Sequence, residues 1–161
     1  MTHKRPAFVA IALILILTAA TSALGAFVSG GDSDPWYAAL NKAALNPPSA
    51  LFGIVWPILF VLMALGAVLV RIKAGSFAAA SSALGLYFTQ LAVNLSWSWL
   101  FFGFQQPLYA MIALIIMWLL IAAMIRSFAK HSWAAAILQF PYLLWVSFAG
   151  YLNGSIILLN Q

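Results

Sequence analysis

The sequence predicts an all-α integral membrane protein, a five-transmembrane-helix bundle with a short lid helix in the loop between helices 1 and 2. Of its 161 residues, 66% are hydrophobic and only 6% are charged, and the mean hydropathy is +1.07. A soluble domain cannot bury that much apolar surface. Five apolar runs are long enough to cross a bilayer, which takes about 20 residues each. They cover most of the chain, so we expect a single membrane domain over residues 1–161.

Each predicted span begins at or near a proline, a small residue or a polar residue, as helix starts allow. The spans are Pro6 to Val28, Pro47 to Val70, Ala78 to Phe102, Pro107 to Ile125 and Trp133 to Leu159. The first could also be a signal peptide, because a passable cleavage site lies at Ala23-Leu24-Gly25. Its apolar run is longer than the usual signal-peptide core, so we expect it to remain as a helix.

Lysine and arginine are unevenly divided between the connections. With the N-terminus inside, six of the seven basic residues fall in inner segments and only Lys42 falls outside. Because cytoplasmic loops carry the excess of basic residues, we expect the N-terminus inside and the C-terminus outside. The net charge of +5 is scattered and reflects this topology, so no nucleic-acid partner is expected.

The spans lack the residues that coupled pumps and most hydrolases use. No Lys, Arg, Asp, Glu or His lies near the middle of a span, whereas proton- and ion-coupled transporters usually need one. Cysteine is absent and no metal-ligand spacing occurs, so we expect neither a metal site nor a resident cofactor. The Ser, His and Asp residues are not placed as an acyl-transfer triad requires.

One face of the third span is polar and aromatic. Tyr87, Gln90, Asn94, Trp97 and Phe101 recur at intervals of three and four residues, so they share one side of a helix. Lipid penalises amide groups, and this side should therefore point into the bundle. Spacing alone leaves open whether the amides only bind neighbouring helices or also form the wall of a ligand pocket.

Two further spans carry aromatic residues away from the membrane interfaces. Trp56 and Phe60 are one turn apart in the second span, with Pro57 between them as a potential kink. Trp145 lies near the middle of the fifth span, where interface anchoring does not explain a tryptophan. Such rings suit a pocket for a flat, mostly apolar ligand, but the aromatic core of a well-packed bundle explains them equally well.

The longest connection, residues 29–46, contains aromatic residues that a polar loop does not need. The segment from Pro35 to Leu45 is predicted to form a short amphipathic helix, with Asp34 as its N-cap. This helix carries Trp36 and Tyr37. Two interpretations remain open: an interfacial helix lying on lipid, or a lid over the outer mouth of a pocket.

Four stretches carry a resemblance to a known family. They are WYAALNKAALNPP at 36–48, VW at 55–56, QLAVNLSWSWLFF at 90–102 and PYLLWVSFAGYLN at 141–153. They resemble the translocator protein family, also called tryptophan-rich sensory proteins or peripheral-type benzodiazepine receptors, and the short chain looks like a bacterial member. The resemblance implies a five-helix bundle, usually a homodimer, with a pocket closed by the first loop.

The resemblance also implies a function. Family ligands are protoporphyrin IX, haem-pathway intermediates and other flat hydrophobic molecules, and the implied roles are porphyrin transport, scavenging or stress sensing. An alternative is light- and oxygen-dependent degradation of protoporphyrin IX, with Trp56 and Trp145 as catalytic residues, and a second alternative is a structural or partner-binding membrane protein. Whether the chain is an enzyme stays open. The implied ligand-binding residues are Trp36, Tyr37, Trp56, Phe60, Asn94, Trp97, Trp145, Phe148, Ala149 and Leu152.

The family pattern is not kept at every position. Phe60 stands where tyrosine is common, so one hydroxyl donor to the ligand is lost. The animal sterol motif needs a basic residue at the end of helix five, and none follows Asn153 in this sequence, so we expect no cholesterol binding through it.

The expected location is a bacterial cell membrane, with an outer membrane as the alternative. Expected partners are a tetrapyrrole, membrane lipid and a second copy of the chain.

Overall fold

Helices form the regular structure of the computed structural model, which describes residues 4–161 apart from the side chains of residues 4–7 and Asp32. In chain order they are α1 (Lys4–Val28), α2 (Pro35–Ala39), α3 (Ser49–Lys73), α4 (Ser81–Ser98), α5 (Pro107–Ala129), α6 (Trp133–Ile137) and α7 (Phe140–Leu159). This described part of the chain contains no strand. The predicted all-α class is confirmed.

Four stretches of the described chain are long and apolar enough to cross a membrane. They are Phe8–Val28, Ser49–Lys73, Pro107–Ala129 and Trp133–Leu159. The protein is therefore a multi-pass membrane protein. Helix α4 is 18 residues long but is not among the four, because Gln90 and Asn94 lower its hydropathy. A fifth membrane crossing stays a prediction.

Most helix ends differ from the prediction by a few residues, and three differences change the local structure. The helix predicted from Trp133 to Leu159 is interrupted by a turn at residues 138–139, because Pro141 has no N–H to donate to the preceding turn. The helix predicted from Pro35 to Leu45 ends at Ala39, where Leu40 is already extended (φ −69°, ψ 141°). The helix predicted to end at Phe102 instead finishes in a wide π-helical turn, Trp99–Gly103.

The long helices pack around the bundle in a defined order. Helix α1 packs against α3 and α4, α4 against α5, and α5 against α6 and α7. Helices α3 and α7 share few contacts, and α3 packs instead against α6, at the other end of the same apolar stretch. The hydroxyl groups of Thr18 and Tyr87 form a hydrogen bond that joins α1 to α4.

The polar and aromatic face of the third predicted span is buried. Tyr87 and Gln90 are 0% exposed, Asn94 and Phe101 are 3% exposed, and Trp97 is 8% exposed. The prediction that this face points into the bundle is confirmed. Its depth in the protein means that each amide must find a partner among the neighbouring helices.

A hydroxyl group on α7 supplies that partner. The Tyr142 hydroxyl donates to Gln90 Oε1 at 2.9 Å and accepts from Asn94 Nδ2 at 2.9 Å. All three side chains are buried. We call this trio the Tyr142 network. Of the two interpretations left open for the amides, Gln90 thus fits the helix–helix contact, and the network fixes the register of α4 against α7.

A second polar bridge lies further along the same two helices. The Trp97 indole Nε1 donates to Asn153 Oδ1 at 3.3 Å, and Asn153 Nδ2 donates to the Pro107 carbonyl at 2.9 Å. Asn153 thus joins α4, α7 and the start of α5. The two bridges together hold these three helices in one arrangement.

Replacing Tyr142 by phenylalanine removes the central hydroxyl and keeps the ring. Gln90 and Asn94 then lose their shared partner in a buried place, so we expect the free energy of unfolding to fall by about 1–2 kcal/mol. Unfolding of the purified protein by heat or by dodecyl sulfate in micelles measures this. The matched control is Tyr151→Phe, because Tyr151 is 46% exposed. If both variants lost the same free energy of unfolding, the Tyr142 network would contribute no more to stability than an exposed hydroxyl group.

Candidate functional site

A cavity of about 430 Å³ lies between α1, α3, α4 and α7, beside the loop that follows α1. Its size lies within the range of small-molecule sites, roughly 300–1,000 Å³. The residues around it are of two kinds. One side is built of aromatic rings, and the other of serine, glycine and alanine.

Trp56 and Trp97 are the centre of the aromatic side. Their ring centroids are 6.1 Å apart and their planes are inclined by 30°. Phe60 lies 5.8 Å from Trp56, and Phe101 lies 5.7 Å from Trp97 at 25°. Because the Trp97 indole N–H is bonded to Asn153, this ring is fixed in place. The result is a nearly parallel set of ring faces against which a flat aromatic ligand can stack.

The π-helical turn at the end of α4 extends this side. Phe104 N bonds to the Trp99 carbonyl at 2.7 Å, a bond from residue i+5 to residue i. Such turns hold more residues than a turn of α-helix and recur at functional sites. Both Phe101 and Phe102 line the cavity, with centroids 4.8 Å apart.

The opposite side of the cavity is small and hydroxylic. Ser22, Gly25 and Ala26 of α1 lie there with Ser98 of α4. A methyl group added at Gly25 would come 3.3 Å from Ser98 Oγ, so α1 and α4 approach closely at this point. Small side chains leave the volume open. The described side chains that line the cavity carry no formal charge, so this part of the wall favours an uncharged surface on its ligand.

The loop beside the cavity is fixed by hydrogen bonds at two places. Asp34 caps α2 by accepting from the backbone N–H of Trp36 at 2.9 Å and of Tyr37 at 3.4 Å, which confirms its predicted capping role. Further on, Asn41 N donates to Asn160 Oδ1 at 2.8 Å and Asn160 Nδ2 donates to the Asn41 carbonyl at 2.9 Å. The loop is thereby attached to the end of α7.

Tyr37 brings the loop to the cavity wall. It is 6% exposed, and its ring lies 5.6 Å from that of Phe102. Lys42 Nζ lies 4.6 Å from the Tyr37 ring centroid, on the loop side of the cavity. This cation is therefore separated from the cavity by one aromatic ring.

The cavity brings together most of the residues that the sequence indicated, but not all of them. Those that line it are Tyr37, Trp56, Phe60, Asn94, Trp97, Ala149 and Leu152. Trp36 packs behind the wall, 5.6 Å from Phe101. Trp145 and Phe148 face a second, apolar depression between α3 and α7. Their predicted part in ligand binding, and the catalytic part predicted for Trp145, stay predictions.

Several lining residues were not singled out in advance. Phe102 reaches the cavity through the π-helical turn, which no spacing rule indicates. Ser22, Gly25 and Ala26 belong to an apolar first helix whose small residues give no signal in a single sequence. Asn153 was not among the implied ligand-binding residues, and the structure shows that it lines the cavity and binds Trp97.

Comparison with known proteins agrees with this arrangement over nearly the whole chain. The model of the TspO/MBR family matches residues 10–159. The tryptophan-rich protein TspO of Chlorobaculum tepidum is 37% identical over 152 residues, which cover 93% of this chain and 95% of that protein. The tryptophan-rich sensory protein of Cereibacter sphaeroides is 38% identical over 127 residues, covering 79% of this chain and 78% of that protein.

The likeness extends to animal proteins. The translocator protein of Bos taurus is 37% identical over 131 residues, which cover 81% of this chain and 78% of that protein. The resemblance drawn from the four sequence stretches is therefore confirmed. With a family model over residues 10–159 and relatives of this identity and coverage, the chain belongs to the TspO/MBR family.

Proposed function

We propose that this membrane protein binds tetrapyrroles, with protoporphyrin IX as the type ligand, and other flat hydrophobic molecules in the cavity between α1, α3, α4 and α7. The observation that carries the proposal is the stacked pair Trp56 and Trp97, 6.1 Å apart on the cavity wall. Two indole faces and the rings beside them match a large planar π-system better than a branched aliphatic ligand. The role is porphyrin transport, scavenging or stress sensing.

The described side chains that line the cavity carry no charge, and this gives the ligand an orientation. Protoporphyrin IX has two carboxylates on one edge, and a buried carboxylate without a partner is strongly disfavoured. The apolar edge therefore packs against the aromatic rings, and the carboxylate edge stays at the loop side. In this orientation Lys42, which lies next to Tyr37, is the nearby cation.

The same proposal includes the membrane topology, the role of the loop and the oligomeric state. Helix α4 with its π-helical turn crosses the membrane as a fifth span, since its amides are buried inside the bundle and hidden from lipid. Helix α2 and its loop act as the lid, and two chains form a homodimer. The bacterial cell membrane is the proposed location, with the outer membrane as the alternative.

A second function, oxidative degradation of light-excited protoporphyrin IX by oxygen, is favoured by the position of Trp56. Its indole lines the cavity and would contact the ligand face, so it could quench or reduce the excited porphyrin. No acid–base pair is needed, which suits a cavity whose described side chains are uncharged. Trp145, the other predicted catalytic residue, lies in the outer depression and would act at longer range.

Loss of one stacked indole should weaken binding without abolishing the fold. For Trp56→Leu we expect a Kd for protoporphyrin IX about 5–10 times higher than that of the wild type, from the loss of one aromatic pairing. Titration in the dark, followed by the quenching of tryptophan fluorescence, measures it. The control is Trp118→Leu, because Trp118 lies outside the cavity and is 38% exposed. If the quenching of wild-type tryptophan fluorescence does not saturate, the protein has no specific porphyrin site. The tryptophans would then serve only packing, and the structural alternative would be favoured.

Esterification of the porphyrin tests the proposed orientation. We expect the dimethyl ester to bind about 2–5-fold more weakly than the diacid at low salt, because neither form buries a charge and only the diacid pairs with Lys42. Lys42→Gln should weaken the diacid by about 2–5-fold at low salt and leave the ester unchanged, as a partly exposed ion pair requires. A large preference for the ester, together with no effect of Lys42→Gln, would place the carboxylates inside and contradict the orientation.

Illumination in air separates binding from degradation. If Trp56 takes part in the chemistry, the loss of porphyrin absorbance is faster in the wild type than in empty micelles and slower in Trp56→Phe at saturating ligand. The phenylalanine variant keeps an aromatic surface, so equal occupancy is reached by adding more ligand. Bleaching no faster than in micelles would leave a binder or sensor.

A further inference from the structure

The seam between α3 and α7 has an opening on each side. On the inner side it borders the cavity, through Phe52 and Trp56 of α3 and Ala149 and Leu152 of α7. On the outer side it forms an apolar groove of about 440 Å³. The groove is lined only by hydrophobic residues and proline: Val55, Ile58, Leu59, Leu62, Pro141, Leu144, Trp145 and Phe148. The same two helices therefore line both spaces.

The cavity and the groove meet at one pair of rings. Phe52 lines the cavity and Trp145 lines the groove, and their centroids are 5.6 Å apart with planes at 69°. A second ring contact between α3 and α7 joins Trp56 to Tyr142, with centroids 6.3 Å apart. Rotation of Phe52 and Trp145 would open the seam on their side of this second contact.

The backbone of α3 is weakened at this level. Pro57 lies inside α3 and has no N–H, so the Gly53 carbonyl lacks its helical hydrogen bond. A methyl group added at Gly53 would meet nothing within 4 Å. Helices bend where a proline interrupts the hydrogen-bond ladder, and here that point lies one turn from Phe52.

Trp145 itself is incompletely satisfied. Its indole Nε1 is covered, yet it has no hydrogen-bond partner among the described residues. A covered donor without an acceptor is unusual, since most such groups are paired. A ligand carbonyl or carboxylate passing through the seam would supply the acceptor. When the seam is closed, Trp145 makes no polar bond that its rotation would have to break.

We propose that the α3–α7 seam is a lateral entrance through which the flat apolar ligand moves directly between the bilayer and the cavity, with Phe52 and Trp145 as its gate. This inference rests on the proposed ligand-binding function. The occupant of the groove is that same ligand, because the groove is apolar and separated from the cavity by one ring pair. The loop is the less favourable route, because the paired amides of Asn41 and Asn160 attach it to α7.

The natural absence of cysteine allows a direct test by cross-linking. The variant Val55→Cys, Leu144→Cys changes two residues that line the groove and not the cavity. It is reconstituted in phosphatidylcholine vesicles and closed across the groove with a short bis-maleimide, and the same variant treated with N-ethylmaleimide is the control. Protoporphyrin IX is first dissolved in the vesicle bilayers. Stopped-flow quenching of tryptophan fluorescence then gives the rates of binding and release.

We expect the cross-link to slow both binding and release at least tenfold and to change the Kd by less than about threefold, because a gate alters rates and not equilibrium. The comparison variant is Asn41→Cys, Asn160→Cys, cross-linked in the same way to hold the loop against α7. It should leave the rates unchanged. This outcome would assign the entrance to the seam.

Three outcomes would overturn the inference. Slow rates in the loop variant alone would place the entrance at the loop. Unchanged ligand rates with loss of co-purified phospholipid from the seam variant would make the groove a site for acyl chains. Saturable binding that neither cross-link slows would remove the gate and leave the proposed function intact, whereas absence of saturable binding before cross-linking would overturn both.

Discussion

The arrangement of the bundle depends on a small set of hydrogen bonds between α4 and α7. In lipid, helices gain little by burying apolar surface against each other, and buried amides must find partners inside the protein. Gln90 and Asn94 find theirs in the hydroxyl of Tyr142, and Trp97 finds its own in Asn153. A shift of α4 by one residue would break these bonds together. They therefore fix which faces of α4 and α7 meet, and so which side chains face the cavity.

The cavity lies next to the part of the bundle that these hydrogen bonds hold together. Helices α4, α5 and α7 are tied to one another, and α1 is joined to α4 through Thr18 and Tyr87. Helix α3 has fewer such bonds to α7, and it contains Pro57. The cavity lies where α3 is separated from α7. In the proposals above, the wall that α4 forms is rigid and orients the ligand, whereas α3 can bend to let the ligand pass. Binding and entry then depend on different helices.

How much could be predicted from the sequence depends on the kind of signal. The face from Tyr87 to Phe101 was found because amides in an apolar helix are costly, and all five of its residues are buried. Trp145, Ala149 and Asn153 recur in the sequence at intervals of four residues, but eight residues along an α-helix turn by about 80° beyond full turns. Ala149 and Asn153 consequently reach the cavity, while Trp145 lies on the next surface, toward the groove. The drift of α-helical periodicity blurs such groupings beyond two turns.

The separate positions of Trp56 and Trp145 also change how substitutions at the two should be interpreted. Trp56 lies on the cavity wall, so under the proposed function its loss acts on the bound ligand and on any chemistry that occurs there. Trp145 lies at the seam, so under the proposed entrance its loss acts on the passage of the ligand. A lower rate of porphyrin loss under light would follow from either cause, because degradation needs both entry and reaction. The length of incubation in the dark before illumination separates them: a long incubation overcomes slow entry, and it does not overcome slow chemistry.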